Sequence, residues 1–388
     1  MSEAQLVGSD AKRDCQVVVT PAPSLEIQIK ASNQQLLEPG IRAVVKNTAS
    51  VLRVSEAKIA IVDKGALDYV ISGRVEAALR STFPELTSAI SRSIPREASE
   101  RNRIRRTRLY APGNNPRLLI GLELHGADCV LVDLEDSVPL SEKRAARILV
   151  KHLLTVVEFP EVWVRINPLD TYGQDDLAEI LHGRPHGICL PKAESSTDIT
   201  SLSKAIEELE SSYGIANGTT YIMPIIETAK GVLHAEEICA ADERVVIVSF
   251  GAEDFTHNVG AKRTVESLLF ARSMIVAAAK AAGIQASDTV FSNLDDEKGL
   301  IAETKQARNL GFNGKGVINP RQIEPIHAVF SPSEQEVKEA QQIVAVAEKA
   351  EEHGLGAISI EGKMIDKPVL ARARQTLKLA ALVNKGGS

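Results

Sequence analysis

The chain has 388 residues, 44% hydrophobic and 25% charged, which supplies a large core and exceeds one ordinary small domain. A net charge of −6 and only 4% aromatic residues exclude a phosphate-binding field or a base-stacking surface, so no nucleic-acid partner is expected. The four cysteines are scattered without a CxxC pair, no apolar signal core opens the chain and no run approaches a membrane span, so a cytoplasmic protein with free thiols and no membrane partner is expected.

In chain order, Val17–Val19 is a short apolar run, and Leu25, Ile27 and Ile29 alternate with polar residues as in a half-buried strand. Pro39-Gly40 predicts the opening of a helix with Ile41, Val44, Val45 and Leu52 on one face. A third strand over Lys58–Val62 leads through Asp63-Lys64-Gly65 into a helix ending near Leu79. Residues 1–82 thus form a small α+β module. Residues 83–105 hold two prolines and many arginines, and read as a charged linker with solvated side chains.

From Thr107 onward, strand and helix patterns alternate. Strands are predicted at Arg108–Ala111, Cys129–Leu134, Val162–Ile166, Gly187–Leu190, Tyr221–Ile226, Val245–Phe250, Thr289–Phe291 and Gly316–Ile318. Amphipathic stretches such as Lys143–Leu154, Ile199–Tyr213 and Val265–Ala282 lie between them. This predicts a (β/α)8 barrel over residues 106–330, followed by a helical extension over 331–388. A doubly wound sheet is the alternative, although no Gly-rich dinucleotide fingerprint follows any strand.

Polar residues cluster after six of those strands, at DLEDSV (Asp133 to Val138), RIN (Arg165 to Asn167), PKAE, IET, GAED and NPRQI. Barrels place their chemistry at these strand ends. Glu227 and Asp254 close successive strands and would repel unless a cation lay between them, which suits Mg²⁺ completed by water and substrate oxygens. The alternative is a carboxylate dyad sharing a proton. Arg165 on a neighbouring strand end favours the metal, because its planar fork could grip a substrate carboxylate, or else form a salt bridge within the mouth. Lys192 alone has a setting for a Schiff base, and it could equally pair with an acid. His182, His186 and His257 flank the loops without a motif.

The segments RRTRLYAPGNN, VLVDLEDSV, VRINPLD, ICLPKAE, PIIETAKGV, SFGAEDF, GFNGKGVINPRQI and GKMID together resemble the citrate lyase beta subunit and the related malyl- and citramalyl-CoA lyases, from about Arg105 to Lys378. The resemblance implies Mg²⁺ on Glu227 and Asp254, and an oxo- or hydroxy-acid contact from Arg165. It implies a site lined by Asp133, Glu135 and Arg106, and a proton-transferring Asp366 provided across a subunit contact. PGNN and GKGVINPRQI fall where that family places CoA or a carrier arm. A homo-oligomer, and partnership with other citrate lyase subunits, are implied with it.

TPAPSLEIQIKAS and VDKGALDYVISGRVEAALR resemble the acyl carrier (gamma) subunit of citrate lyase, in which a serine of an E-S-[SG]-D segment bears a phosphoribosyl-dephospho-CoA arm. Aligned on Asp14, that place falls on Lys12, which has no hydroxyl for a phosphodiester, while Ser9 stands three residues earlier. The expectation is an unmodified Lys12 and a barrel acting on free CoA thioesters or on a separate carrier. The activity implied is Mg²⁺-dependent cleavage of a citryl thioester to oxaloacetate and an acetyl thioester. The alternatives are a malyl- or citramalyl-CoA lyase and a carboxylate-binding subunit without activity.

Overall fold

The computed structural model describes residues 5–88, 96–352, 358–360 and 363–386. The first unit comprises strands β1 (Leu6–Val7), β2 (Cys15–Pro21), β3 (Glu26–Lys30) and β4 (Ala57–Asp63) and helices α1 (Gln34–Val51) and α2 (Asp68–Thr82). Its sheet order is β1-β2-β4-β3, with β3 parallel to β4 and the other pairs antiparallel. On β2 and β4 alternate residues (Cys15, Val17, Val19; Ala57, Ile59, Ile61) are buried, so one face packs under the helices and the other is only partly covered. Helix α1 begins five residues before the expected Pro39, because the Asn33 side chain accepts the Leu36 N–H and caps it there. Pro39 therefore sits inside the helix rather than at its start.

Eight parallel strands then close a barrel: β5 (Thr107–Pro112), β6 (Cys129–Asp133), β7 (Val162–Arg165), β8 (Gly187–Leu190), β9 (Tyr221–Ile226), β10 (Ile247–Phe250), β11 (Gln285–Asp288) and β12 (Gly314–Val317), with β12 pairing back to β5. Between and after them run α3 (Pro116–Leu119), α4 (Lys143–Val156), α5 (Gln174–Ile180), α6 (Ser196–Ser212), α7 (Ala229–Leu233), α8 (Ala235–Ala240), α9 (Ala252–Val259), α10 (Val265–Ala281), α11 (Glu297–Leu310) and α12 (Ile323–Phe330). A long helix α13 (Glu334–Glu352), the hairpin β13 (Ile358–Ile360) and β14 (Lys363–Ile365), and α14 (Lys367–Gly386) complete the chain.

The seventh barrel strand is QASD at 285–288, not the apolar Thr289–Phe291 run. Its outward Asp288 is buried yet stable there because Arg272 of α10 and Lys315 of β12 both bond it, at 2.9 and 3.0 Å. A strand held by an ion network carries no apolar signature.

The 83–105 segment also departs from the expected solvated linker. Arg96 donates to the backbone carbonyls of Leu154, Val157, Gly183 and Arg184, and Arg105 is fully buried against Glu161 at 2.8 Å. Residues 89–95 of that segment lie outside the described residues.

The first unit rests on the barrel through α2 against α4. Gly73 permits the approach, since a Cβ there would lie 3.1 Å from the Leu149 Cα. Beside it Glu76 is buried between Lys151 (2.5 Å) and His152 (2.7 Å), and Arg74 reaches the Asn114 carbonyl at 2.9 Å.

Candidate active site

The C-terminal rim of the barrel encloses a cavity of about 170 Å³, bounded by Tyr110, Arg165, Glu227, Gly251, Asp254 and Thr289 and floored by Arg108 and Ser249. Glu227 follows β9 and is 3% exposed; its Oε1 accepts the backbone N–H of Lys192 at 2.9 Å. Asp254 comes from the first turn of α9, just past β10, where the free N–H groups of a helix start favour a carboxylate. Burial, and then the charge of Asp254, push the Glu227 carboxyl up to about 8. Two acids set this way suit a cation between them.

Local backbone makes that pairing possible. A Cβ on Gly251 would lie 2.3 Å from Glu227 Oε2 and 2.7 Å from its Cβ, so only glycine leaves room for the carboxylate. Lys192 adopts φ 51°, a left-handed conformation costing a non-glycine residue about 1–2 kcal/mol. That turn aims its N–H at Glu227, while its ammonium bonds Glu135 at 2.7 Å. Burial pulls the Lys192 ammonium downward, but the bond and charge of Glu135 outweigh it and hold the group above its usual range. An amine held charged by that ion pair is not poised for a Schiff base, and Lys192 takes the acid-pairing role instead.

Arg165 and Asp133 end neighbouring strands in direct register. The guanidinium therefore holds Asp133 with two bonds, Nε at 2.6 Å and a terminal nitrogen at 2.8 Å, and reaches Glu135 at 3.1 Å. Although burial opposes it, the Arg165 bond and charge keep the Asp133 carboxyl below its usual range. The fork expected to grip substrate is thus occupied by a protein carboxylate. Arg165 meets a ligand only with its remaining N–H groups, five donors being available in all.

Arg106 is placed elsewhere. It precedes β5, at the opposite end of the barrel, where it bonds Asp128 at 2.8 and 2.9 Å and Ser331 at 2.8 Å. Strand parity instead sends Arg108 and Tyr110 inward, and Arg108 reaches the cavity floor. The sequence reading missed Arg108, because Arg106 shares its parity and only the strand's start at Thr107 tells them apart.

Asp366 caps α14, is exposed, accepts the Val369 N–H at 3.0 Å and does not line the cavity. The histidines are equally remote from the chemistry. His182 stacks on Tyr213, and His186 accepts the Val162 N–H and is lowered to about 4 by burial, while His257 is exposed on α9. Among the described residues no group of three or more His, Cys, Asp or Glu could hold a metal alone. A pair of carboxylates facing a cavity fits an ion that takes its other ligands from water and substrate, as Mg²⁺ does.

On the first unit, Ser9 Oγ donates to Asp14 at 2.8 Å and Arg74 grips the same Asp14 at 3.0 Å. Lys12 is exposed on the turn between Ser9 and Asp14. Both Ser9 and Lys12 line a second cleft of about 480 Å³ shared with Asn114, Asn115 and Arg144 of the barrel.

Residues 106–320 match the family HpcH/HpaI aldolase/citrate lyase. The chain belongs to that family. Residues 2–82 match the malonate decarboxylase delta subunit (MdcD), a family of acyl carrier proteins. The chain is 43% identical over 283 residues to citrate lyase subunit beta of Leuconostoc mesenteroides subsp. cremoris, covering 72% of this chain and 94% of that protein. It is 32% identical over 330 residues to the mitochondrial citramalyl-CoA lyase of Homo sapiens, covering 80% and 94%. Among solved structures, CitE from Mycobacterium tuberculosis in complex with magnesium, acetoacetate and coenzyme A is 30% identical, with TM-score 0.61 over 73% of this chain and 100% of that one. No helix among the described residues is long and apolar enough to cross a membrane.

Proposed function

We propose that this chain is a magnesium-dependent oxo-acid lyase that cleaves a citryl thioester to oxaloacetate and an acetyl thioester in the cytoplasm. The observation that carries the reading is the buried Glu227 raised to about 8 beside Asp254 at a barrel mouth. The citrate lyase beta subunits at 43 and 40% identity, and a magnesium- and coenzyme A-bound structural relative, support it.

Glu227 and Asp254 would hold the ion, and neither is needed for core packing. When bound, Mg²⁺ supplies Lewis-acid polarisation of the hydroxyl C–O bond that becomes the oxo group. The chain's own residues do the rest. Asp133 and Glu135 fix Arg165, and Lys192 fixes Glu135, so the cationic wall is rigid before substrate enters. A base removes the hydroxyl proton, the C–C bond breaks, and its electron pair passes to the thioester as an enolate that an acid then protonates. Asp366, brought from a neighbouring copy, is the proposed carboxylate for one of these proton transfers. That role makes a homo-oligomer part of the proposal.

The first unit is proposed to dock the barrel in its assembly with other subunits rather than to carry an arm. Lys12 has no hydroxyl, and the Ser9 hydroxyl is already bonded to Asp14. Cleavage assays on citryl-, malyl- and citramalyl-CoA with Mg²⁺, repeated with EDTA, test the reading. Preferred, EDTA-sensitive release of oxaloacetate is expected. Preference for malyl- or citramalyl-CoA would move the assignment to those lyases, and no cleavage of any of the three would end it.

A further inference from the structure

The floor of the cavity holds a cation that the reading above leaves without a role. Arg108 is fully buried on β5, and its terminal nitrogens donate only to hydroxyls, those of Ser287 and, at 3.1 Å, Ser249. Its Nε is buried with no partner. Among the described residues no carboxylate lies within ion-pair distance of it. The neighbouring Tyr110 phenol and the Cys129 and Cys189 thiols supply no counter-charge, because burial pushes Tyr110 up to about 12 and raises both thiols.

Most other large buried cations differ, Lys143 being held by the Leu134 and Glu135 carbonyls. Arg74 has Asp14, Arg105 has Glu161, Arg272 and Lys315 share Asp288, and Lys151 has Glu76. A buried charge without a partner is strongly destabilising, so a fold that keeps one has a use for it. Arg108 and Ser249 border the cavity shared with Glu227 and Asp254, so the missing anion enters through that cavity.

We infer that Arg108, with Ser249, is the receptor for a second carboxylate of the acid half of the substrate, and therefore the residue that selects an acid with two carboxylates. This rests on the lyase reading. An oxo acid would offer its first carboxylate and its oxo oxygen to the end of the site where Glu227 and Asp254 would hold the ion. Glyoxylate and pyruvate, the acids released from malyl and citramalyl thioesters, then have nothing left to offer Arg108. Oxaloacetate has a further carboxylate, one methylene away. Arg165 is a poorer receptor for it, since Asp133 and Glu135 already engage its fork and leave only its remaining N–H groups. Selection arises because a one-carboxylate acid leaves the buried cation unpaired.

The test compares wild type with Arg108→Met and Arg108→Gln, using calorimetric binding of oxaloacetate and pyruvate with Mg²⁺, cleavage of citryl- and citramalyl-CoA, and thermal melting. Wild type should bind oxaloacetate far more tightly than pyruvate. Either variant should lose oxaloacetate affinity and citryl kcat/KM by about 100-fold or more, while pyruvate affinity and citramalyl turnover change by less than about threefold. Melting temperature should hold or rise, because an uncompensated charge is removed. Equal losses on both acids, retained oxaloacetate affinity, or a marked fall in melting temperature would each overturn the inference and make Arg108 a structural residue. If wild type cleaves none of the thioesters, the lyase reading fails, and the binding comparison still decides whether Arg108 selects dicarboxylates.

Discussion

Replacing Glu227 by Gln keeps the side chain's shape and its acceptor for the Lys192 N–H while deleting the charge that opposes Asp254. In the folded chain the Glu227 carboxyl holds its proton up to about 8, whereas the unfolded chain releases it near 4.5. Between those values the folded state binds more protons, so wild-type stability falls as pH rises, and the loss is complete above pH 8. At about 1.4 kcal/mol per pH unit, the interval from 4.5 to 8 amounts to a loss on the order of 5 kcal/mol. Glu227→Gln has no such titration. In EDTA the variant should therefore gain on wild type steadily between pH 5 and 8.5, read as denaturant midpoints across that range. Adding Mg²⁺ at pH 8.5 should recover wild type alone, since a cation between the two carboxylates relieves both causes of the strain. A stability difference that stays flat with pH, or Mg²⁺ stabilising both proteins alike, would refute the reasoning.

Arg165→Lys keeps the charge but cannot reproduce the two-bond hold on Asp133, and citryl kcat/KM should drop by about 100-fold with the fold intact; steady-state kinetics beside a melting curve checks this. Gly251→Ala forces a methyl against Glu227, and should cost about 1–3 kcal/mol in denaturant unfolding and weaken Mg²⁺ binding in the same protein. Glu76→Gln removes the nearer of the two carboxylates on buried Lys151, leaving Glu179 at 3.1 Å, and should lower stability by about 1–3 kcal/mol by chemical denaturation. Peptide mass mapping after co-expression with arm-attaching enzymes should find Ser9 and Lys12 unmodified, and a mass increment on the Ser9 peptide would restore a self-loaded carrier.

The barrel was legible because most of its strands are apolar runs buried on both faces, and Glu227 and Asp254 because acids closing such runs stand at the mouth. The seventh strand was not, since QASD owes its place to Arg272 and Lys315, which are distant in sequence. The start of α1 was hidden by Pro39, a residue that more often opens a helix than sits within one. Arg165 was found, but its engagement by Asp133 depends on the β6–β7 register, which no single strand reveals. Arg106 was named from the resemblance, and its place at the other end of the barrel depends on the β12–β5 pairing, in which Gly316 faces Arg108.

The central claim is that Glu227 and Asp254 together form the cation site of a lyase. Calorimetric titration of Mg²⁺ into wild type, Glu227→Gln and Asp254→Asn at pH 8.5 with oxaloacetate present, alongside citryl-CoA cleavage by the same samples, tests it most directly. One site in wild type, with binding and cleavage both lost in each variant, is the predicted result. Undiminished Mg²⁺ affinity or near-native turnover in either variant would contradict it.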